Sequence, residues 1–548
     1  MLRSEIVRRI LQRRGIDSAS VEKFLHPSMD DLARPEELLG VVEAADALLA
    51  AAAAGRRIVV FGDYDCDGVC ATAILVKTLR AVWKGDPSRV EDEVVPFIPN
   101  RLDEGYGMSD LSLSRMLREN PNVAIVVTVD NGINAVSQIA GLRARGVAVV
   151  VTDHHLPGES LPIADALVNP RVAASDRLRD LCGAGVAFLL ARRIISEARA
   201  RGLFAGASFG GTLLVLAGLA TVTDIMPLMG QNRILVHEAL AHFGEWAPIG
   251  LKELHLRGAK TAIGGRMCSK DFGYVLGPRI NAAGRIASGM EALELLLSDD
   301  REITRELARM VDGYNVDRKS VEQRMSDEAL LKVVSGASAQ VIDMPEGHPG
   351  VAGIVASRVM EKLGGQSPVC VIAGGHGSAR APDHINIRDA FVACAEVLDT
   401  YGGHAAAGGF SVKPGKVDEF RRLLCEYCDK LKTQPSANSG SEPDVWIDSA
   451  DIDLELAEML KEIEPFGEGN PEPIFGLRGA TIRDVRLLGS DGRHLSMVVN
   501  NRRAVWWNHG SEIESIRALA AESRDLRFAL MISDYGERHV EMRLISIS

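Results

Sequence analysis

Three aspartates spaced two residues apart, Asp63, Asp65 and Asp67, stand in IVVFGDYDCDG, residues 58–68, directly after a β-branched apolar run. Carboxylates crowded onto one short loop repel each other unless a cation or a proton relieves them. Further apolar runs end in similar groups. IVVTVDNGIN, 125–134, offers Asp130; VAVVVTDHH, 147–155, offers Asp153, His154 and His155; LLVLAGLATVTD, 213–224, offers Asp224. A single aspartate after a strand ordinarily caps the next helix. Four such sites, one carrying adjacent histidines, are hard to explain as caps. Carboxylate and imidazole donors together suit a divalent ion such as Mn2+ or Mg2+, and a set this rich in carboxylates can hold two.

Residues that far apart in sequence need a scaffold that gathers strand ends. From 36 to about 230, Val/Ile runs at 56–61, 92–98, 123–129, 147–152 and 165–168 alternate with helical segments such as 69–83. Continuous apolar runs of this kind are strands covered on both faces. The pattern predicts an α/β fold with a doubly wound parallel sheet, whose sites lie beyond the carboxyl ends of the strands. Every metal candidate before residue 160 falls at such an end. Residues 287–335 are rich in charged helix formers and predict a long connecting helix. A second α/β unit follows, with strands at 339–343 and 368–373 and a helix over about 350–363. TQPSANSGSEPD, 433–444, has linker composition, and the turn-punctuated short runs after it predict a small β-barrel of oligonucleotide-binding (OB) type. The expected organisation is a helical segment 1–35, a catalytic domain 36–286, a connecting helix 287–338, a substrate-binding domain 339–432, the linker 433–444 and the barrel 445–548.

A length of 548 residues suits about three domains. The N-terminus lacks an apolar signal core, and no segment reaches membrane length, so the expected setting is cytoplasmic with no membrane partner. The eight cysteines form no disulfide framework, and the single C-x₂-C, Cys425 and Cys428, has helical apolar periodicity, as buried helix cysteines do. A net charge of −12 argues against a nucleic-acid partner only globally. Arginines and lysines cluster locally beside glycines, in GGRMCSKDFGYVLGPRINAAGR and in GSARAPDHINIR.

Ten motifs in order identify a resemblance that runs nearly end to end. They are RRGIDSASVEKFLHP (13–27), GDYDCDG (62–68), PNRLDEGYG (99–107), TVDNG (128–132), TDHH (152–155), ATVTDIMPL (220–228), GPRINAAGR (277–285), HPGVAGIVASR (348–358), GGHAAAGGF (402–410) and EPFGEGNPEPIF (464–475). The chain resembles the DHH phosphoesterase superfamily and, within it, the RecJ family of single-strand-specific 5′→3′ exonucleases. That resemblance implies a two-metal phosphodiesterase acting in DNA repair and recombination. It implies that Asp63, Asp65, Asp67, Asp130, His154 and Asp224 include the ligands of two Mn2+ or Mg2+ ions. Asp65, Asp130, His154 and His155 would serve catalysis, with His155 beside the ligands or on the phosphate. Ser378, Arg380 and His404 would hold the 5′ end of single-stranded DNA, with Arg101, Arg279 and Arg285 as further phosphate contacts. A single-strand-binding protein and a helicase would be partners.

Some positions have an ordinary alternative. Arg279 and Arg285 could pair with local carboxylates, Tyr106 could be packing rather than a stacking platform, and His348 could be structural. Two departures from the family pattern stand out. Phe61 occupies a position where many relatives have His, and APDHINIRDAF, 381–391, replaces the more usual Ser-Pro-Gly type of segment. Two competing functions are a phosphodiesterase for short oligonucleotides or cyclic dinucleotides, and a non-catalytic DNA-binding scaffold. The extra β-domain argues against the first, and the retained acidic and histidine set against the second.

Overall fold

A computed structural model of the chain describes residues 3–105, 107–172, 175–206, 209–258, 266–431, 442–519, 522–533 and 537–548. Tyr106 and residues 433–441 of the expected linker lie outside the described residues.

Five parallel strands form the first sheet: β1 (Ile58–Phe61), β2 (Val94–Phe97), β3 (Ile125–Val129), β4 (Ala148–Thr152) and β5 (Ala166–Val168), in the order β2-β1-β3-β4-β5. Alternate residues enter opposite cores. Ile58, Val60, Ile125, Val127 and Val150 pack into one, while Val59, Phe61, Val126, Val149 and Val151 pack into the other. Both faces are covered, which is why the strands read as unbroken apolar runs. The chain leaves β1 toward one edge and returns at β3 on the other side. The loops after β1 and β3 therefore diverge and open a crevice at the carboxyl ends, the usual place for a site in this topology. Phe61 is fully buried, its ring 5.0 Å from that of Phe97, so it is a core residue here.

The apolar run before Asp224 is the helix Gly210–Thr223. It is buried along most of its length, and an all-round apolar helix cannot be told from a buried strand by periodicity. The expected connecting helix is two helices, Gly289–Leu297 and Arg301–Leu331; Ser298 ends the first and the Asp300 carboxylate caps the second. A second sheet has the order β6-β7-β8-β10-β9, from β6 (Gln340–Met344), β7 (Val369–Ala373), β8 (His376–Arg380), β9 (Leu398–Gly403) and β10 (Ala407–Val412). Only β6 and β7 run parallel. The C-terminal region is a seven-stranded mixed sheet spanning 445–547. Its core is shared with the beginning of the chain, because Ile6, Val7, Ile10, Leu11 and Phe24 pack among its strands. Arg233 ties these parts to the catalytic domain. Its buried guanidinium lies 3.7 Å from the Phe24 ring and donates to the carbonyls of Phe24 and Glu464. Among the described residues no helix is long and apolar enough to cross a membrane.

Candidate metal centre

The acidic loop leaves β1 and turns into the helix Cys66–Val82. Asp65 is the N-cap of that helix, its Oδ1 accepting from Gly68 N at 3.0 Å. Asp67 sits in the first turn, where both its oxygens accept from backbone at 2.7 Å, one from Gly183 N and the other from Ala184 N. These are the first residues of the helix Gly183–Ala200, and a helix N-terminus stabilises an anion. A Cβ on Gly183 would come within 2.6 Å of the Asp130 Cβ, so glycine is what lets this helix end approach both aspartates. Asn281 fixes the loop from another side, its Oδ1 accepting from Cys66 N at 2.7 Å.

Asp130 follows β3 with φ of 60°. Left-handed backbone is uncommon outside glycine, and aspartate tolerates it better than most. At the end of β4, Asp153 accepts four hydrogen bonds: from His154 N at 2.7 Å, His155 N at 3.1 Å, the His155 ring Nδ1 at 2.7 Å and Ile133 N at 2.9 Å. Asp224 arrives from the end of the helix Gly210–Thr223.

These groups converge. His154 Nε2 lies 3.0 Å from Asp130 Oδ1 and 3.6 Å from both Asp67 Oδ2 and Asp224 Oδ2. Three sets of donor atoms each fall within 4.8 Å: Asp63 with Asp65 and Asp130, Asp67 with His154 and Asp224, and Asp130 with His154 and His155. Asp130 and His154 each belong to two sets. Asp63 Oδ1, Asp130 Oδ1, His154 Nε2 and Asp224 Oδ2 are buried without a hydrogen-bond partner among the described residues. Each such atom costs about 1–3 kcal/mol when left unsatisfied. Four at one point, all oxygen or imidazole nitrogen, fit the donor set of Mn2+ or Mg2+.

The proton affinities agree. Burial, then the Asp65 charge, pushes Asp63 well above the usual carboxylate range; burial and Asp67 do the same for Asp130. Asp65 is raised by burial and Asp67, and Asp224 is pushed up to about 9 by burial followed by Asp67 and Asp65. The two histidines diverge. Burial lowers His154 and keeps it neutral. Burial is the largest single influence on His155 and opposes its charge, but the hydrogen bond to Asp153 together with the charges of Asp153, Asp224 and Asp63 outweighs it and raises the ring to about 9.

Beside the acidic loop stand three arginines. Arg101 lies 5.1 Å from the Tyr64 ring. Arg285 donates to the Gly350 carbonyl at 3.1 Å, and burial, then Arg101, pushes it down to about 10. Arg380, at the end of β8, donates to the Ala379 carbonyl at 2.8 Å and is lowered by burial and by Arg101. Among the described residues none of the three forms an ion pair with a carboxylate. Ser378 shares a strand face with Arg380, two residues away. His404 lies in the turn between β9 and β10, lowered by burial and by the charges of His155 and Arg388. His348 caps the turn at Pro349, its Nδ1 accepting from Gly350 N at 3.1 Å. Arg279 stands differently: its guanidinium pairs with Asp312 at 2.8 Å and donates to the Val275 carbonyl at 2.7 Å, which is the local pairing open to it from the sequence.

Sequence reasoning passed over Gly183, Ala184 and Asn281, whose role is to hold the carboxylates, and it gave Asp153 no role. The one available signal was TDHH, where an aspartate adjoins the histidine pair.

Residues 57–208 match the DHH family, N-terminal domain, residues 336–430 the DHHA1 domain and residues 443–545 the RecJ OB domain. A parallel sheet with this cluster at its switch point, joined to a DHHA1 domain, defines a metal-dependent DHH-type phosphoesterase. The chain is 32% identical over 527 residues to the single-stranded-DNA-specific exonuclease RecJ of Bacillus subtilis, covering 93% of this chain and 64% of that one. It is 35% identical over 525 residues to the RecJ of Dickeya dadantii, covering 90% and 86%. The crystal structure of Thermus thermophilus RecJ with Mn2+ superposes with a TM-score of 0.79 at 31% identity, covering 98% of this chain and 75% of that one. The same protein with Mg2+ gives 0.76 at 29% identity, covering 98% and 74%. The chain belongs to the RecJ family.

Proposed function

We infer that this protein is a metal-dependent exonuclease that hydrolyses single-stranded DNA from the 5′ end to 5′-mononucleotides. The observation that carries the reading is the convergence of four orphaned buried donor atoms on one point beside three arginines that, among the described residues, lack carboxylate partners. The first group calls for cations and the second for an anion, and a phosphodiester strand on divalent ions supplies both. The family relatives, named as single-stranded-DNA-specific exonucleases, support the substrate.

Asp63, Asp65 and Asp130 would hold one ion and Asp67, Asp130, His154 and Asp224 the other, with Asp130 shared. When bound, two such ions supply hydroxide near neutral pH and neutralise charge on the scissile phosphate. The neutral His154 has a free lone pair to give a cation. His155 cannot ligate while it is protonated; with Nδ1 held by Asp153, the ring would stand as a positive charge for the phosphate. Arg101, Arg285, Arg380, Ser378 and His404 would receive the 5′ terminus, with Arg279 supporting the helix Gly277–Ile286 that carries Arg285. We assign 36–286 to catalysis, 339–432 to 5′-end binding and 445–548 to the strand beyond it. A cytoplasmic setting, with a single-strand-binding protein and a helicase as partners, is part of this reading on family grounds.

The test is incubation with Mn2+ of single strands labelled at either end, beside a blunt duplex. Labelled mononucleotide should come first from the 5′ label, with the duplex intact. Mononucleotide released at once from the 3′ label, or equal attack on duplex, would refute it.

A further inference from the structure

A cavity of about 470 Å³ adjoins the metal centre and has no part in the reading so far. One wall comes from the end of the helix Gly210–Thr223 and from Tyr274, the other from Phe466 and Pro471 in the 464–475 motif. Two of its lining residues touch the metal centre through the chain: Ile225 follows Asp224, and Asn281 holds Cys66 N. The Lys270–Glu472 pair marks its rim, and Glu468 O accepts from Leu228 N at 2.7 Å, stitching the walls together.

Two independent oddities lie in this cavity. The helix before it ends in a Schellman motif: Met226 N donates to Thr221 O and Ile225 N to Val222 O. The residue that must turn left-handed there is usually glycine; here it is Ile225, with φ of 57° and 69% of its surface exposed. A β-branched residue in that conformation is strained, and the strain secures no burial. Tyr274, which lines the same cavity, is 78% exposed and rises from a π-helical turn, Asp271–Leu276, a geometry frequent at functional sites. Isolated exposed apolar residues are ordinary. Two lining one cavity, each set by unusual backbone, are a built surface.

We propose that this cavity is a nucleobase subsite: it receives bases of the strand on the 3′ side of the scissile phosphate, stacked on Tyr274 and packed against Ile225. The proposal rests on the exonuclease reading. Its volume suits one or two bases, apolar faces accept bases of any sequence, and its lining joins the residues after Asp224 to the 464–475 motif that leads into the C-terminal sheet.

The test measures binding of a 3′-fluorescent, 5′-phosphorylated oligo(dT) dodecamer by anisotropy in EDTA, for the full chain. Tyr274→Ala and Ile225→Gly should each weaken binding about five-fold or more, the scale of one stacked base. Ile225→Gly should also melt no lower than wild type, since glycine relieves the strained turn. A scan of strands carrying one abasic position should find a position where wild type loses affinity and Tyr274→Ala loses no more. Wild-type affinity in either variant would overturn the proposal. So would an equal loss for Tyr274→Ala with the intact strand and every abasic strand, which would seat a peptide segment or mere packing there. A lower melting temperature for Ile225→Gly would assign that residue to packing, against the proposal. Failure of the wild type to cut single strands in Mn2+ would refute the exonuclease reading instead, so the two failures are distinguishable.

Discussion

Replacing Asp153 by Asn removes a charge and almost no volume, and it should act on the reaction through His155. In the native chain the imidazole rises from 6.5 to about 9. At about 1.4 kcal/mol per unit this is roughly 3 kcal/mol in favour of the charged ring. Asp153 supplies the largest share of it through a 2.7 Å hydrogen bond, with Asp224 and Asp63 adding smaller ones. A neutral amide keeps the bond without the charge, so His155 should fall by about one to two units. The amide also turns an NH₂ toward Ile133 N, now 2.9 Å from Asp153 Oδ2, a donor facing a donor that costs about 1–3 kcal/mol of stability. The sign follows from the raised value: the imidazolium is present below about 9 and is lost as pH rises through it. If that cation contacts phosphate, the alkaline limb of the rate profile should move to lower pH in Asp153→Asn, with rates near wild type at the acid end. Bound ions repel the imidazolium and lower both profiles together, so the displacement between them is the readout. Titration of the ¹³C-labelled His155 Cε1 in metal-free protein, beside rate profiles in Mn2+, measures both halves. A His155 that titrates within about 0.3 unit of wild type would refute the coupling to Asp153. A shifted titration with an unmoved rate profile would refute the role of the cation.

Asp130→Asn keeps a residue that tolerates the left-handed backbone, so it should stop hydrolysis and leave the fold; its metal-free melting temperature should rise as the crowded carboxylates lose a charge, and the upward shift on adding Mn2+ should shrink, all readable by thermal melting with and without the ion. His154→Ala should lose more Mn2+ affinity and more rate than His155→Ala, for which a loss of about 10–100-fold is expected of a group outside the ligand set; metal titrations of the two variants decide between them. Because Asp63, Asp130 and Asp224 are raised, the metal-free fold binds more protons than the unfolded chain from about 4 to about 9, so its stability should fall as pH rises through that window. Mn2+ should release protons on binding, seen by calorimetry in buffers of different ionisation heat. Deleting 445–548 should bare Ile6, Ile10, Leu11 and Phe24 and cause aggregation, which light scattering would show, whereas deleting 1–27 as well should restore a soluble catalytic unit.

The local chemistry was legible because it is written in short stretches. A Val/Ile run followed by aspartates specifies a strand that ends in charge, and in a parallel sheet strand ends gather on one edge. That logic puts Asp63, Asp65, Asp67, Asp130 and His154 at neighbouring strand ends, and the structure brings their donor atoms together in sets within 4.8 Å. The logic gave no element type for 213–224, where the same apolar density belongs to a buried helix, because a segment covered on all sides carries no period. It also left Arg279 and Arg285 undivided, since equal arginines in one motif differ only in their neighbours: Asp312 for one, Arg101 and a backbone carbonyl for the other.

The sequence by itself determined the strand ends, their donor residues and the order of the units along the chain, because these depend on residue type and spacing within a few turns. Only the tertiary structure decided which donors lose their partners and point at one another, and which histidine is charged. It alone showed that Gly183 and Ala184 brace Asp67 across more than a hundred residues, and that the first helix closes the last sheet. Those outcomes rest on burial and on distances between segments remote in sequence. Desolvation and Coulomb energy, which set them, have no value until the chain has folded.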